Sequence, residues 1–158
     1  MTRLLFRRRA KILSRWVLAL CISASCGTTA VLVTDPAPTL VSAIDYCGLE
    51  GFYSPPLEHF LDEVNEPFSV REIEGLITSV SGDWPPGGVL FQVKEPGAQE
   101  VEFETRTDVK GRFVLKESRP GIFCFKATIE GWSSTFGVVQ VSPKAPSENQ
   151  ILLKLDLE

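Results

Sequence analysis

From Thr107 onward, apolar and polar side chains alternate along the chain. Phe113 and Leu115 share one parity while Arg112 and Lys116 hold the other. Phe123, Phe125, Ala127 and Ile129 then repeat the pattern against Lys126 and Glu130. A period of two predicts strands with one face in a core and one mostly in water. The same reading covers Val89, Phe91 and Val93, then Val101, Phe103 and Thr105. At the C-terminus it covers Ile151, Leu153, Leu155 and Leu157 against Lys154, Asp156 and Glu158. Arg71 to Val80 and Thr135 to Val141 add two more apolar runs of strand length. The pattern predicts an all-β fold: a seven-stranded antiparallel β-sandwich over residues 70–158.

Turn chemistry punctuates these strands. Asp108 and Gly111 hold the first and last places of a four-residue reversal, where a short side-chain acceptor and a permissive backbone are wanted. Arg119-Pro120-Gly121 offers a preset φ followed by a residue free to take positive φ, which predicts a type II turn. Gly131-Trp132 reads as a corner after the strand that follows.

These residues resemble the carboxypeptidase regulatory-like domain, a small transthyretin-like β-sandwich. The resemblance is carried by Ile73-Glu74-Gly75-Leu76-Ile77-Thr78 as first strand and by Thr107-Asp108-Val109-Lys110-Gly111-Arg112-Phe113 as the turn. Pro120-Gly121-Ile122-Phe123 and Gly131-Trp132 complete it. It covers roughly Val70 to Glu158. Two places depart from the family pattern: Trp84-Pro85-Pro86-Gly87-Gly88 replaces a shorter loop, and Trp132 stands where tyrosine is more usual. The resemblance implies a fold and an accessory role, and function follows from it only weakly.

The N-terminal residues 1–43 read as a targeting device. Arg3, Arg7, Arg8, Arg9, Lys11 and Arg15 precede an uncharged run from Trp16 to Thr34, the order of a signal peptide or a membrane anchor. In one reading the small residues of Val41-Ser42-Ala43 direct cleavage before Ile44. In another, residues 16–34 stay in the membrane and display the domain outside; a lipid attachment at Cys26 is a third. All place the folded part outside the cytoplasm, periplasmic or secreted, touching a membrane only through the N-terminal segment.

Charge follows the same division. Of the 16 basic and 20 acidic residues, six basic ones and one acid, Asp35, precede Ile44, leaving ten against nineteen. An excess of nine acids argues against nucleic acid and against anionic lipid as partners. The run Glu100-Val101-Glu102-Phe103-Glu104 reads as a solvated strand edge whose charges discourage pairing with another chain.

Cys21 and Cys26 fall in the apolar run, so Cys47 and Cys124 are the two cysteines left in the exported part, and a disulfide between them is expected. If Phe123 and Phe125 face the core, Cys124 and Ile122 point from the sheet's other face, and something must cover it. The segment from Tyr46 to Phe68, held by Cys47, is the candidate. Within the expected linker, residues 44–69, Leu57, Phe60, Leu61 and Val64 fall at helical spacing after Ser54-Pro55-Pro56, which predicts a short amphipathic helix. His59 and Glu63 would lie one turn apart on its other face, but two ligands and a single histidine do not make a metal site.

The same inventory bears on catalysis. Triads and catalytic zinc need histidine near an activated group, and both tyrosines, Tyr46 and Tyr53, precede the strands. The expectation is a non-enzymatic extracytoplasmic module without cofactor, for protein or carbohydrate interaction or structural support. Trp84 and Trp132 are the candidate binding residues: a tryptophan in a loop stacks on sugars or anchors a partner, and either one can instead fold back to close the end of the sandwich. The alternative of another class is a transthyretin-like small-ligand carrier or hydrolase acting as an oligomer.

Overall fold

The computed structural model describes residues 42–56, 58, 60–81, 87–116 and 119–156. Residues 1–41 of the expected N-terminal signal or anchor, with Leu57, His59 and Trp84, lie outside the described residues. A short helix, α1 (Ala43–Cys47), precedes nine strands: β1 (Leu61–Glu63), β2 (Phe68–Val70), β3 (Ile73–Ser79), β4 (Leu90–Lys94), β5 (Phe103–Arg106), β6 (Arg112–Leu115), β7 (Gly121–Thr128), β8 (Ser134–Val141) and β9 (Ile151–Leu155).

The strands form two sheets. The smaller has the order β6-β3-β9, and the larger runs β1-β8-β7-β4-β5 with β2 also on the edge of β8. In the smaller sheet the expected alternation is plain: Ile73, Ile77, Phe113, Leu115, Ile151, Leu153 and Leu155 are buried, while Arg112, Val114, Leu152 and Lys154 face water. From the larger sheet Phe91, Val93, Phe123, Phe125, Ala127, Val139 and Val141 point into the same core. Phe91 links the two layers, stacking on Phe113 at 4.2 Å between centroids and on Phe125 at 5.3 Å.

Glycine sets how closely the strands approach. A Cβ on Gly75 would stand 2.0 Å from the carbonyl oxygen of Ile151, its register partner on β9. The Asp108 reversal forms as expected: Gly111 donates to the Asp108 carbonyl at 2.9 Å and takes φ of 75°. Gly131, at the Trp132 corner, also takes positive φ.

Four expectations are corrected. The strands number nine among the described residues, because β1 and β2 add to the seven. Pairing is antiparallel for β3–β6, β4–β5, β4–β7 and β7–β8 but parallel for β3–β9, β1–β8 and β2–β8. The amphipathic helix after Ser54 does not form over its described residues; Leu61–Glu63 is a strand instead. The cause is the open edge of β8, whose backbone groups require partners. Ser134 donates to the Phe60 carbonyl and Val64 to the Phe136 carbonyl, each at 2.8 Å. Local periodicity lost to this tertiary pairing. Finally, Gly121 does not take positive φ; it opens β7 opposite Val141.

Removing the ring that joins the sheets is expected to cost about 3 to 5 kcal/mol in Phe91→Ala, and inserting a methyl at the close approach about 1 to 3 kcal/mol in Gly75→Ala. Urea denaturation measures both, with Arg112→Ala on the wet face as the control that stays within about 0.5 kcal/mol of wild type. Equal losses at all three positions would contradict this placement of the core.

Candidate interaction surfaces

Strands β4, β7 and β8 are buried along almost their whole length, on both faces. The second face carries Cys124, Ile122, Phe136 and Val138, with Gln92, Lys94 and Lys126 between them. The described residues from Ser42 to Glu58 lie over this face as a strap. Cys47, at the end of α1, is bonded to Cys124 across 77 positions of sequence. Ala43 and Phe52 fill the space beside that bond, and Phe52 meets Phe136 edge to face at 5.5 Å. The disulfide, and the covered face that the parity of Cys124 demanded, are both present.

Both lysines of this face are buried. Lys94 donates to the carbonyls of Glu50 and Ala98, the latter at 2.9 Å, and its ammonium stands 4.9 Å from the centre of the Phe52 ring. Burial lowers its pKa, and the charge of Glu50 opposes that shift. Lys126 donates to the Tyr53 carbonyl and the Ser54 hydroxyl at 3.0 Å and pairs with the Glu58 carboxylate at 2.8 Å. Burial alone would raise the Glu58 pKa. Hydrogen bonds from Lys126, Ser134 and Ser54, with the Lys126 charge, outweigh it and hold the carboxyl below its ordinary value. Gln92 completes the row, accepting from the Tyr53 amide at 2.8 Å.

Parity alone puts Lys126 on the wet face. The signal that could have moved it is the parity of Cys124: in register, Lys94 stands opposite Cys124 and Gln92 opposite Lys126, so whatever covers the cysteine covers these too.

A second surface forms at one end of the sheets. Val80 donates to the Leu155 carbonyl, Gly88 to the Thr107 carbonyl and Ser133 to the Asp156 carbonyl. These bonds gather the end of β3, the Asp108 turn, the Trp132 corner and the end of β9. The loop carrying Trp84 leaves at Ser81 and returns at Gly87, whose Cβ position is 3.2 Å from the Cα of Val109. The Asp108 carboxylate accepts from the backbone amides of Lys110 at 2.8 Å and Arg112 at 2.9 Å. Those bonds, the Arg112 one foremost, keep its pKa low. The turn is therefore rigid, and at its tip the Val109 side chain is 85% exposed. Val80 is also exposed, whereas Trp132 is half-buried against the core.

Two carboxylates beside the β5 edge are paired with an arginine. Arg119 bridges Glu95 and Glu102 at 2.6 and 3.0 Å, and among the described residues no three His, Cys, Asp or Glu side chains come together to hold a metal. No protein-family model matches the chain, and no curated protein matches it. The resemblance to carboxypeptidase regulatory-like domains thus rests on the residues quoted for it.

Replacing both cysteines, Cys47→Ala with Cys124→Ala, is expected to lower stability by about 2 to 5 kcal/mol, given the long loop the bond closes. Denaturant titration under oxidising and reducing conditions measures it, and overlapping curves would contradict the bond. Glu58 supplies a second test. Its folded pKa lies below the ordinary 4.5, so its contribution is present above that pH and lost as pH falls through the folded value. Wild type should lose stability on acidification below about pH 4.5 more steeply than Glu58→Gln. Parallel melting-temperature curves for the two proteins would show that the ion pair contributes nothing.

Proposed function

We propose that this chain is a non-enzymatic, extracytoplasmic β-sandwich of the transthyretin-like kind. It serves as a module that binds a protein or a polysaccharide through the loop end of its two sheets. The observation that carries this reading is Val109, an aliphatic side chain held in water at the tip of a turn made rigid by Asp108. A rigid exposed apolar residue loses little entropy on binding and suits an interface anchor. Val80, exposed after the end of β3, Trp132 at its corner and the two ends of the loop that carries Trp84 support the same end. The Cys47–Cys124 bond supports an oxidising compartment. Among the described residues no helix is long and apolar enough to cross a membrane, so attachment, in this reading, depends on residues 16–34.

The polar interior also supports a structural use of its ionisable groups. Lys126 has three acceptors around its ammonium, and Lys94 lies wholly enclosed beneath the strap. Neither offers a free nucleophile.

A photoreactive residue at position 109 is expected to cross-link a partner protein in the native cell envelope. The same residue at Lys144, near the opposite end where Ser142 bonds to Val70, should not. If the partner is a polysaccharide, glycan-array retention should fall about tenfold in Val109→Ser or Trp84→Ala, the loss typical of an interface anchor. Equal labelling at 109 and 144 with unchanged glycan retention would overturn the reading, and a stable tetramer in native mass measurement would favour the small-ligand carrier.

A further inference from the structure

The strap has an ordered beginning. α1 has only five residues and needs support from outside itself. Ser42 supplies part of it: in extended conformation, its hydroxyl accepts from the Asp45 amide and its carbonyl from the Tyr46 amide, each at 3.2 Å. Glu63 of β1 supplies the rest. One carboxylate oxygen accepts from the backbone amides of both Ala43 and Ile44, the latter at 3.1 Å. Burial alone would raise the pKa of this carboxyl; bonds from the Ser42 hydroxyl and the two amides lower it on balance. Ala43 itself has no exposed surface and packs beside the disulfide with Phe52, Phe136 and Val138.

We infer that Ser42 and Ala43 are part of the mature folded protein, so that any maturation cut falls on the N-terminal side of Ser42 and not between Ala43 and Ile44. Hydrolysis of the Ala43–Ile44 bond during export would remove the cap and leave a hole next to the disulfide. It would also turn the Ile44 amide into an ammonium at the end of α1 where the helix already carries partial positive charge. Glu63 can pair with that ammonium, which offsets one of the three losses only. The assignment of a cut rests on the reading that the chain is exported. The seating of Ser42 and Ala43 does not.

The test uses the full chain, recovered after export, with the first residue of the disulfide-bonded species read from its intact mass. A first residue at or before Ser42 is expected, and the same first residue in Ala43→Leu. That variant should melt about 4 to 8 °C lower, because the enclosed site has no room for a larger side chain. A wild-type chain that begins at Ile44, or an Ala43→Leu protein that melts with wild type, overturns the inference. Cell fractionation separates the two questions. A chain found only in the cytoplasm with free thiols sinks the export reading, while the melting temperature of Ala43→Leu still decides whether Ala43 is seated.

Discussion

The larger sheet cannot leave its second face to water, and the arrangement of the strap follows from that constraint. Phe136, Val138, Ile122 and Cys124 make the face apolar, and Gln92, Lys94 and Lys126 stud it with groups that cannot be buried unpartnered. An enclosed ammonium without acceptors is costly enough to unfold a domain of this size. Hydrophobic cover alone would not specify how the strap lies, because it has no direction. The lysines do specify it: Lys94 demands the carbonyls of Glu50 and Ala98, and Lys126 the Tyr53 carbonyl, the Ser54 hydroxyl and the Glu58 carboxylate. The disulfide ties the same strap covalently to β7.

How much of this was legible depends on how many faces of a strand are covered. Strands β3, β6 and β9 have one wet face, and their residues alternate, so the sequence reads directly onto the structure. In β4, β7 and β8 the second face is covered, and the polar residues there look solvated until the cover is known. Lys126 is the case in point, since a lysine at the parity opposite Phe125 reads as wet on any simple rule. Cys124, at the same parity, was the one residue whose chemistry betrayed the cover.

Other misses have their own physics. Leu61 and Val64 both meet apolar surroundings but on opposite faces, Leu61 with the Cys124 cluster and Val64 with the main core, as a strand's period of two places positions i and i+3; pairing with β8 also fills an open edge. Whether β9 lies parallel or antiparallel to β3 leaves no mark on side-chain parity, because both arrangements alternate alike. Short turns, by contrast, carry their own chemistry, and Asp108 with Gly111 fixed one of them unaided.

Exposed apolar side chains on this molecule do not all carry the same meaning. Leu152 and Val114 are exposed on the outer face of the smaller sheet, flanked by Arg112, Lys154 and Glu74. Long charged side chains cover such residues with their stems, and scattered exposure of this kind is ordinary on any surface. Val109 differs because it stands at a turn tip where small or polar residues are the rule, and nothing in the turn requires it. Asp108 and Gly111 make the reversal by themselves, so a polar residue at position 109 would serve the fold equally well. An aliphatic side chain at that tip is the feature on which the proposed binding role rests.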